Sequence, residues 1–135
     1  MPELDISTEK VAWVIMRARE YEAKVAAFDD GDQENADEQG VGILESRADD
    51  PTLHELTGFF RALNDDEEAN LVALAWIGRG TYGAEDWEEA LATARAERDT
   101  RTDRYLLGMP LLADYLEDGL EALGISPTEA EQALE

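Results

Sequence analysis

Four arginines recur at every third position in the last third of a chain that is otherwise poor in bases. The 135 residues contain 11 lysines and arginines against 33 acids. Arginine binds carboxylates and phosphates through two parallel hydrogen bonds, so this group is a candidate anion site. The alternative is that the arginines pair with acids of the chain itself, such as Glu88 or Asp103. The four are Arg95, Arg98, Arg101 and Arg104.

The segment WIGRGTYG, residues 76–83, is a second place where residue types suggest a function. Arg79 stands between two glycines, with Trp76 and Tyr82 nearby. Arginine together with Trp and Tyr is typical of the centre of protein–protein interfaces, so Arg79 and Tyr82 are candidate partner contacts. The alternative is that Trp76 belongs to the core and the glycines only end a helix.

Catalytic and metal-binding patterns are absent from the sequence. The chain has no cysteine, and its one histidine, His54, has no partner that would suggest a catalytic triad. An EF-hand register that begins at Asp30 fails, because Asn35 and Val41 stand where the loop requires Gly and Glu. Carboxylate pairs arise by chance in so acidic a chain. We therefore predict no catalytic residue, metal site or cofactor, and an enzyme is the less favoured interpretation.

The net charge of −22 limits the classes of partner. Such a surface repels nucleic acids and anionic membranes, and it attracts cations and basic proteins. One interpretation of the acidity is solubility or adaptation to a salty cytoplasm. A second is capture of a basic protein, and a third is mimicry of a polyanion such as a nucleic acid.

Repulsion among the acids also predicts how stability responds to salt. Monovalent salt screens like charges, so the melting temperature should rise with ionic strength, most steeply in dilute buffer. Thermal denaturation from dilute buffer to near-molar NaCl tests this expectation. A flat response would show that the charges are already paired or too dispersed to matter.

Targeting signals are not evident. The first residues lack the basic start and long apolar run of a signal peptide, and no segment approaches the roughly 20 apolar residues of a membrane span. Together with the absence of cysteine, this predicts a cytoplasmic protein.

Helix signals dominate the chain and predict a single all-α domain, residues 1–135, of about five to seven helices. Asn64 and Glu67 predict a capping box, after which Leu71–Ile77 is apolar on nearly every side, as in a helix buried at the centre of a domain. Further helix starts are predicted at Ser7, at Asp50-Pro51, near Trp87 and at Ser126.

Two segments differ from this pattern. Residues 29–40, DDGDQENADEQG, carry six acids and almost nothing apolar, so they are predicted to form a solvated, mobile loop. Residues 125–135 are predicted to form a short terminal helix that opens with a capping box from Ser126 to Glu129.

The segment RYLLGMPLLADYLEDGLEALG, residues 104–124, predicts two helices joined at a corner. Gly108 suits a left-handed helix end, and Pro110 suits the first turn of the next helix. The apolar positions that follow form one stripe and predict a buried face. If one side of the corner is open, Met109 becomes a candidate contact with a partner or in a homodimer. The stripe is Leu111, Leu112, Tyr115, Leu116, Leu120 and Leu123.

These segments resemble a family of small bacterial proteins known as domain of unknown function 3775. The resemblance lies in LVALAWIGRGTY, in WEEALATARAERDTRTDRYLLGMPLLADYLEDGLEALG and, more loosely, in LDISTEKVAWVIMRAREYEAKV. It implies a small, cytoplasmic, helical protein. It draws attention to Arg79, Tyr105, Pro110 and Tyr115 but assigns them no role, because no activity of the family can be carried over.

The sequence thus favours a non-catalytic, acidic interaction or regulatory protein that binds another protein. The first alternative is a small ligand-binding protein or enzyme that binds an anion through the group of arginines from Arg95 to Arg104. The second alternative is a nucleic-acid mimic. A mimic requires acids on one continuous face, whereas an enzyme requires a concave pocket with buried charged groups.

Overall fold

The computed structural model describes residues 4–28, 50–97 and 102–132. Within these ranges the chain is all-α with no β-strand, as predicted. A 3-10 turn at Ala84–Asp86 precedes the fourth of seven α-helices. The helices are α1 (Thr8–Phe28), α2 (Pro51–Ala62), α3 (Asp65–Arg79), α4 (Trp87–Glu97), α5 (Thr102–Leu107), α6 (Leu112–Ala122) and α7 (Pro127–Gln132).

Several predictions fall on residues outside these ranges. The acidic segment 29–40 is one of them, and Arg98 and Arg101 are two more. The end of the predicted terminal helix, residues 133–135, is also outside the described residues. These predictions stay untested.

Helix α3 lies at the centre of the fold. Its first turn is held by the predicted capping box: the Asn64 side chain accepts from the Glu67 amide, and the Glu67 side chain accepts from the Asn64 amide. Every residue of Leu71–Ile77 is buried, which confirms the central helix. The helix ends at Gly80, whose φ of 91° is in the left-handed region that glycine adopts without strain.

The most extensive packing is between α3 and α6. The two helices run antiparallel and cross so closely that glycine is required on both. A Cβ atom on Gly78 would lie 2.6 Å from the carbonyl carbon of Tyr115, and one on Gly119 would press on the backbone of Leu74. This crossing sets the last turn of α3 beside the first turns of α6.

Helix α1 covers α6, α7 and α2. Ser7 caps it through a hydrogen bond to the Lys10 amide of 3.1 Å, as predicted. The buried positions Val11, Val14, Ile15, Ala18 and Tyr21 recur at three- and four-residue spacing, as expected for one face of a helix. Helix α2 begins as predicted, because the Asp50 carboxylate accepts from the amides of Thr52 and Leu53.

The corner between α5 and α6 differs from the prediction. Gly108 does not adopt a left-handed conformation, which among the described glycines is found at Gly80 and Gly124. The Gly108 amide instead donates to the Arg104 carbonyl at 2.9 Å, so α5 closes with an ordinary helical bond. Helix α6 starts only at Leu112, so that Pro110 precedes the helix rather than lying in its first turn.

The late start of α6 also changes which leucines are inside. Leu112 is 2% exposed, whereas Leu111 is 48% exposed and was wrongly assigned to the buried stripe. Leu111 is the N-cap residue, and its φ of −117° and ψ of 30° are not helical, so its side chain leaves the helical face. Met109, predicted as a candidate contact, is buried and belongs to the core.

Candidate interaction surface

Three aromatic side chains meet where α3 ends. The Trp76 indole Nε1 donates a hydrogen bond of 2.9 Å to the Tyr105 hydroxyl. The Trp76 and Tyr82 rings lie with their centroids 5.8 Å apart. Tyr82 is held in turn by a bond from its hydroxyl to Thr93 on α4, at 3.4 Å. Helices α3, α4 and α5 and the loop after α3 therefore all contribute to one connected group of aromatic side chains.

Part of this end of the molecule is apolar and open to solvent. Among the described residues, three large apolar side chains are exposed, and two of them are Tyr105, at 44%, and Leu111, at 48%. Leu111 immediately precedes α6, and the close crossing at Gly78 and Tyr115 holds the start of α6 beside the end of α3. The third exposed residue, Met16, is on α1.

Two exposed arginines lie at the same end. Arg79 is in the last turn of α3, three residues after Trp76, and its Nε donates to the Thr81 hydroxyl at 3.0 Å. Arg104 is next to Tyr105 on the solvent side of α5. We call this region the Tyr105 surface; it consists of Trp76, Arg79, Tyr82, Arg104, Tyr105 and Leu111.

These two arginines differ from the other described bases in having no ion pair with a described carboxylate. Eight lysines and arginines fall within the described residues, and six of them lie within 4.0 Å of a carboxylate. No carboxylate of the described residues lies that close to Arg79 or Arg104. The six paired bases are Lys10, Arg17, Arg19, Lys24, Arg61 and Arg95.

Two of the four predicted arginines, Arg95 and Arg104, lie within the described residues. Arg95 is on α4, which ends at Glu97, while Arg104 is on the separate helix α5. Arg95 binds Asp5 at 3.1 Å and Asp66 at 3.3 Å, so its guanidinium ties the amino-terminal segment to the start of α3. The alternative that these arginines pair with the chain's own acids is therefore confirmed for Arg95.

His54 is exposed on α2. No group of three or more His, Asp or Glu side chains among the described residues is placed to hold a metal ion. No described helix is long and apolar enough to cross a membrane.

A carboxylate that the sequence analysis missed lies at the start of α6. Glu22, half-buried on α1, accepts a hydrogen bond of 3.1 Å from the Ala113 amide. Burial raises the pKa of Glu22 to about 7; repulsion by Asp114 adds to this, while the Ala113 amide and Arg19 oppose it. Arg19, three residues earlier, holds Asp114 at 3.4 Å and Glu117 at 2.9 Å.

One sequence signal could have pointed to a group such as Glu22. Helix α6 has no Ser, Thr, Asp or Asn at its N-cap, where Leu111 stands, so its first amides need acceptors from elsewhere in the fold. The chain offers many acids, and the amphipathic pattern of α1 does not say which of them reaches α6.

The comparison with protein families agrees with the resemblance in the sequence. Residues 53–125 match a family described as "Protein of unknown function (DUF3775)", and this match covers more than half of the chain. It includes every residue of the Tyr105 surface, whereas α1, with Glu22, lies outside it. Comparison with curated proteins and with solved structures gave no match. The chain therefore belongs to the DUF3775 family, whose matched segment contains the central helix α3, its crossing with α6 and the aromatic surface at that end.

Proposed function

We propose that the protein is a non-catalytic binding protein that docks another protein on the Tyr105 surface. The observation that carries this proposal is that the end of α3 and the helices joined to it there expose Tyr105 and Leu111, together with two arginines that have no carboxylate partner among the described residues. Tyr, Trp and Arg are the residue types that contribute most to binding at interface centres. The Trp76 indole, which packs beside Tyr82, binds the Tyr105 hydroxyl, so Tyr105 loses less side-chain freedom when a partner binds.

The local chemistry defines the docking segment of the partner. An apolar side chain would cover Tyr105 and Leu111, and a carboxylate beside it would bind Arg79 or Arg104. Beyond this surface the excess of acids favours a partner that is basic as a whole, because opposite charges accelerate association. The same excess disfavours a second copy of this chain, which would bring two charges of −22 together.

The two alternatives have less support. An anion site built from Arg95 and Arg104 would have to displace Asp5 and Asp66 from Arg95. A polyanion mimic would use the exposed acids of α6, but Arg19 already binds two carboxylates of that helix, those of Asp114 and Glu117.

Variants of the Tyr105 surface test the proposal. We expect Leu111→Asp and the double variant Arg79→Gln, Arg104→Gln each to weaken partner binding at least tenfold, about 1.4 kcal/mol. The first variant removes the apolar contact, and the second removes the positive charges that bind a carboxylate. Met16→Ser is the matched control, since Met16 is also a large exposed apolar residue but lies on α1.

The experiment starts with capture of partners from a lysate of the native host by the wild-type protein. Each captured protein is purified and titrated against the four forms by calorimetry. Loss of binding in both surface variants with full binding by Met16→Ser supports the proposal. Equal binding by all four forms would contradict it. Light scattering on the purified chain tests for a homodimer. If Leu111→Asp dissociated such a dimer, the partner bound at this surface would be a second copy of the chain.

A further inference from the structure

The polar side chains of the Tyr105 surface are nearly all hydrogen-bond donors. Its two arginines and the Trp76 indole have no acceptor atom. The hydroxyls of Tyr82 and Tyr105 can both donate and accept, but that of Tyr82 is bound to Thr93 at 3.4 Å. What the surface offers a partner therefore depends on how the Tyr105 hydroxyl is used.

The contact with Trp76 fixes the role of the Tyr105 hydroxyl. The indole Nε1 can only donate, so in this bond of 2.9 Å the phenolic oxygen is the acceptor. The proton of the hydroxyl must then point away from Trp76, and among the described residues none accepts it. The bond from the indole also polarises the hydroxyl and makes it a stronger donor. Tyr105, which is 44% exposed, is thus held as a donor toward a partner.

Arg79 is restricted in a similar way. Its Nε donates to the Thr81 hydroxyl at 3.0 Å, so one edge of the guanidinium is used inside the protein. The two terminal nitrogens remain, and their spacing matches the two oxygens of a carboxylate. Because Arg79 is one turn after Trp76 on α3, its side chain starts from the same face of the helix as the indole that binds Tyr105.

The end of α3 itself opposes an anion, because a helix carries partial negative charge at its carboxyl end. Part of that charge is offset, since the Trp76 carbonyl accepts hydrogen bonds from the Gly80 and Thr81 amides. The helix end amounts to roughly half an elementary charge, whereas Arg79 and Arg104 carry two full positive charges. The local balance therefore favours an anion.

We propose that the Tyr105 surface recognises an Asp or Glu carboxylate of the partner, and that the Tyr105 hydroxyl, oriented by Trp76, selects this anion against neutral and cationic groups. An ionised carboxylate only accepts hydrogen bonds, so it satisfies the hydroxyl and a guanidinium together. An amide brings an NH2 group that finds no acceptor there, and an ammonium group is repelled by the arginines. This inference rests on the proposed function and adds the residues that determine its specificity.

Small probes test this selection without the partner. Isovalerate, isovaleramide and isopentylamine share one apolar tail and differ in carrying a carboxylate, a neutral amide or an ammonium group. Each is titrated into the purified full chain at neutral pH and fixed ionic strength, and NMR follows the Trp76 indole N–H and the backbone amide of residue 105. We expect isovalerate to bind at least tenfold more tightly than isovaleramide, and isopentylamine to leave both signals unchanged.

Substitution of the two specificity residues gives the decisive comparison. Tyr105→Phe removes the hydroxyl, and Trp76→Phe removes the group that orients it. Each should reduce the preference for isovalerate over isovaleramide by about threefold or more, the effect of one hydrogen bond. Tyr115→Phe is the matched control, because Tyr115 is a half-buried tyrosine of α6 outside the Tyr105 surface, and it should keep the wild-type preference.

Three results would overturn the inference. These are equal binding of acid and amide by the wild type, an unchanged preference in Tyr105→Phe, and tighter binding of inorganic phosphate than of isovalerate at the same two signals. The partner titrations separate this inference from the proposed function. Partner binding that Leu111→Asp weakens but Tyr105→Phe leaves unchanged would refute only the selection by Tyr105, whereas binding unaffected by both would refute docking on this surface.

Discussion

Gly78→Ala is expected to lower the free energy of unfolding by about 3 kcal/mol or more, because the added methyl group has no space. Its Cβ atom would lie 2.6 Å from the Tyr115 carbonyl carbon and 2.9 Å from the Gly119 nitrogen, and closer still to the Tyr115 carbonyl oxygen. All three are backbone atoms of α6, so no side-chain rotation can relieve the overlap. Helices α3 and α6 would have to separate, and the most extensive helix–helix contact of the described core would loosen.

Gly58→Ala is the matched control for this variant. Gly58 is also inside a helix, but a Cβ atom there would meet nothing within 4 Å. Alanine is favoured over glycine in a helix interior by about 1 kcal/mol, so Gly58→Ala should be neutral or stabilising. Urea unfolding followed by circular dichroism measures both. Wild-type stability in Gly78→Ala would show that the two helices do not cross as closely as described.

Leu112→Ala is expected to cost about 2–5 kcal/mol of unfolding free energy, the range for removing a buried leucine side chain. Leu112 is 2% exposed at the first position of α6. Its neighbour provides a control of identical chemistry: Leu111 is 48% exposed, so Leu111→Ala should change stability by less than about 1 kcal/mol.

The same pair of leucines distinguishes stability from binding. We expect Leu112→Ala to reduce stability while leaving partner binding of the folded protein intact. We expect Leu111→Ala to weaken partner binding while leaving stability nearly unchanged. Urea unfolding and calorimetric titration of both variants measure the two properties. Equal losses of stability at the two positions would contradict the assignment of Leu111 to the surface and, with it, the defined Tyr105 surface.

Local sequence patterns were sufficient to predict most of the helices and much of the core. The capping box at Asn64 and Glu67, the Asp50 cap before Pro51 and the apolar run Leu71–Ile77 are each encoded within a few residues. Such signals act through neighbouring backbone groups and through the 3.6-residue period of the helix, so they can be interpreted without knowing what packs against them. The match of 53–125 to the DUF3775 family could be anticipated for the same reason, from short motifs.

Tertiary packing decided the features on which the proposed function depends. Gly78 and Gly119 are far apart in the sequence, and only the crossing of α3 with α6 shows that both must lack a side chain. Leu111 and Leu112 differ in burial because α6 begins one residue later than the apolar stripe suggests. Composition could not show which of 33 acids lies against a given base, since that depends on which helices are neighbours. The same holds for Glu22, whose burial and contact with Ala113 exist only because α1 is packed on α6.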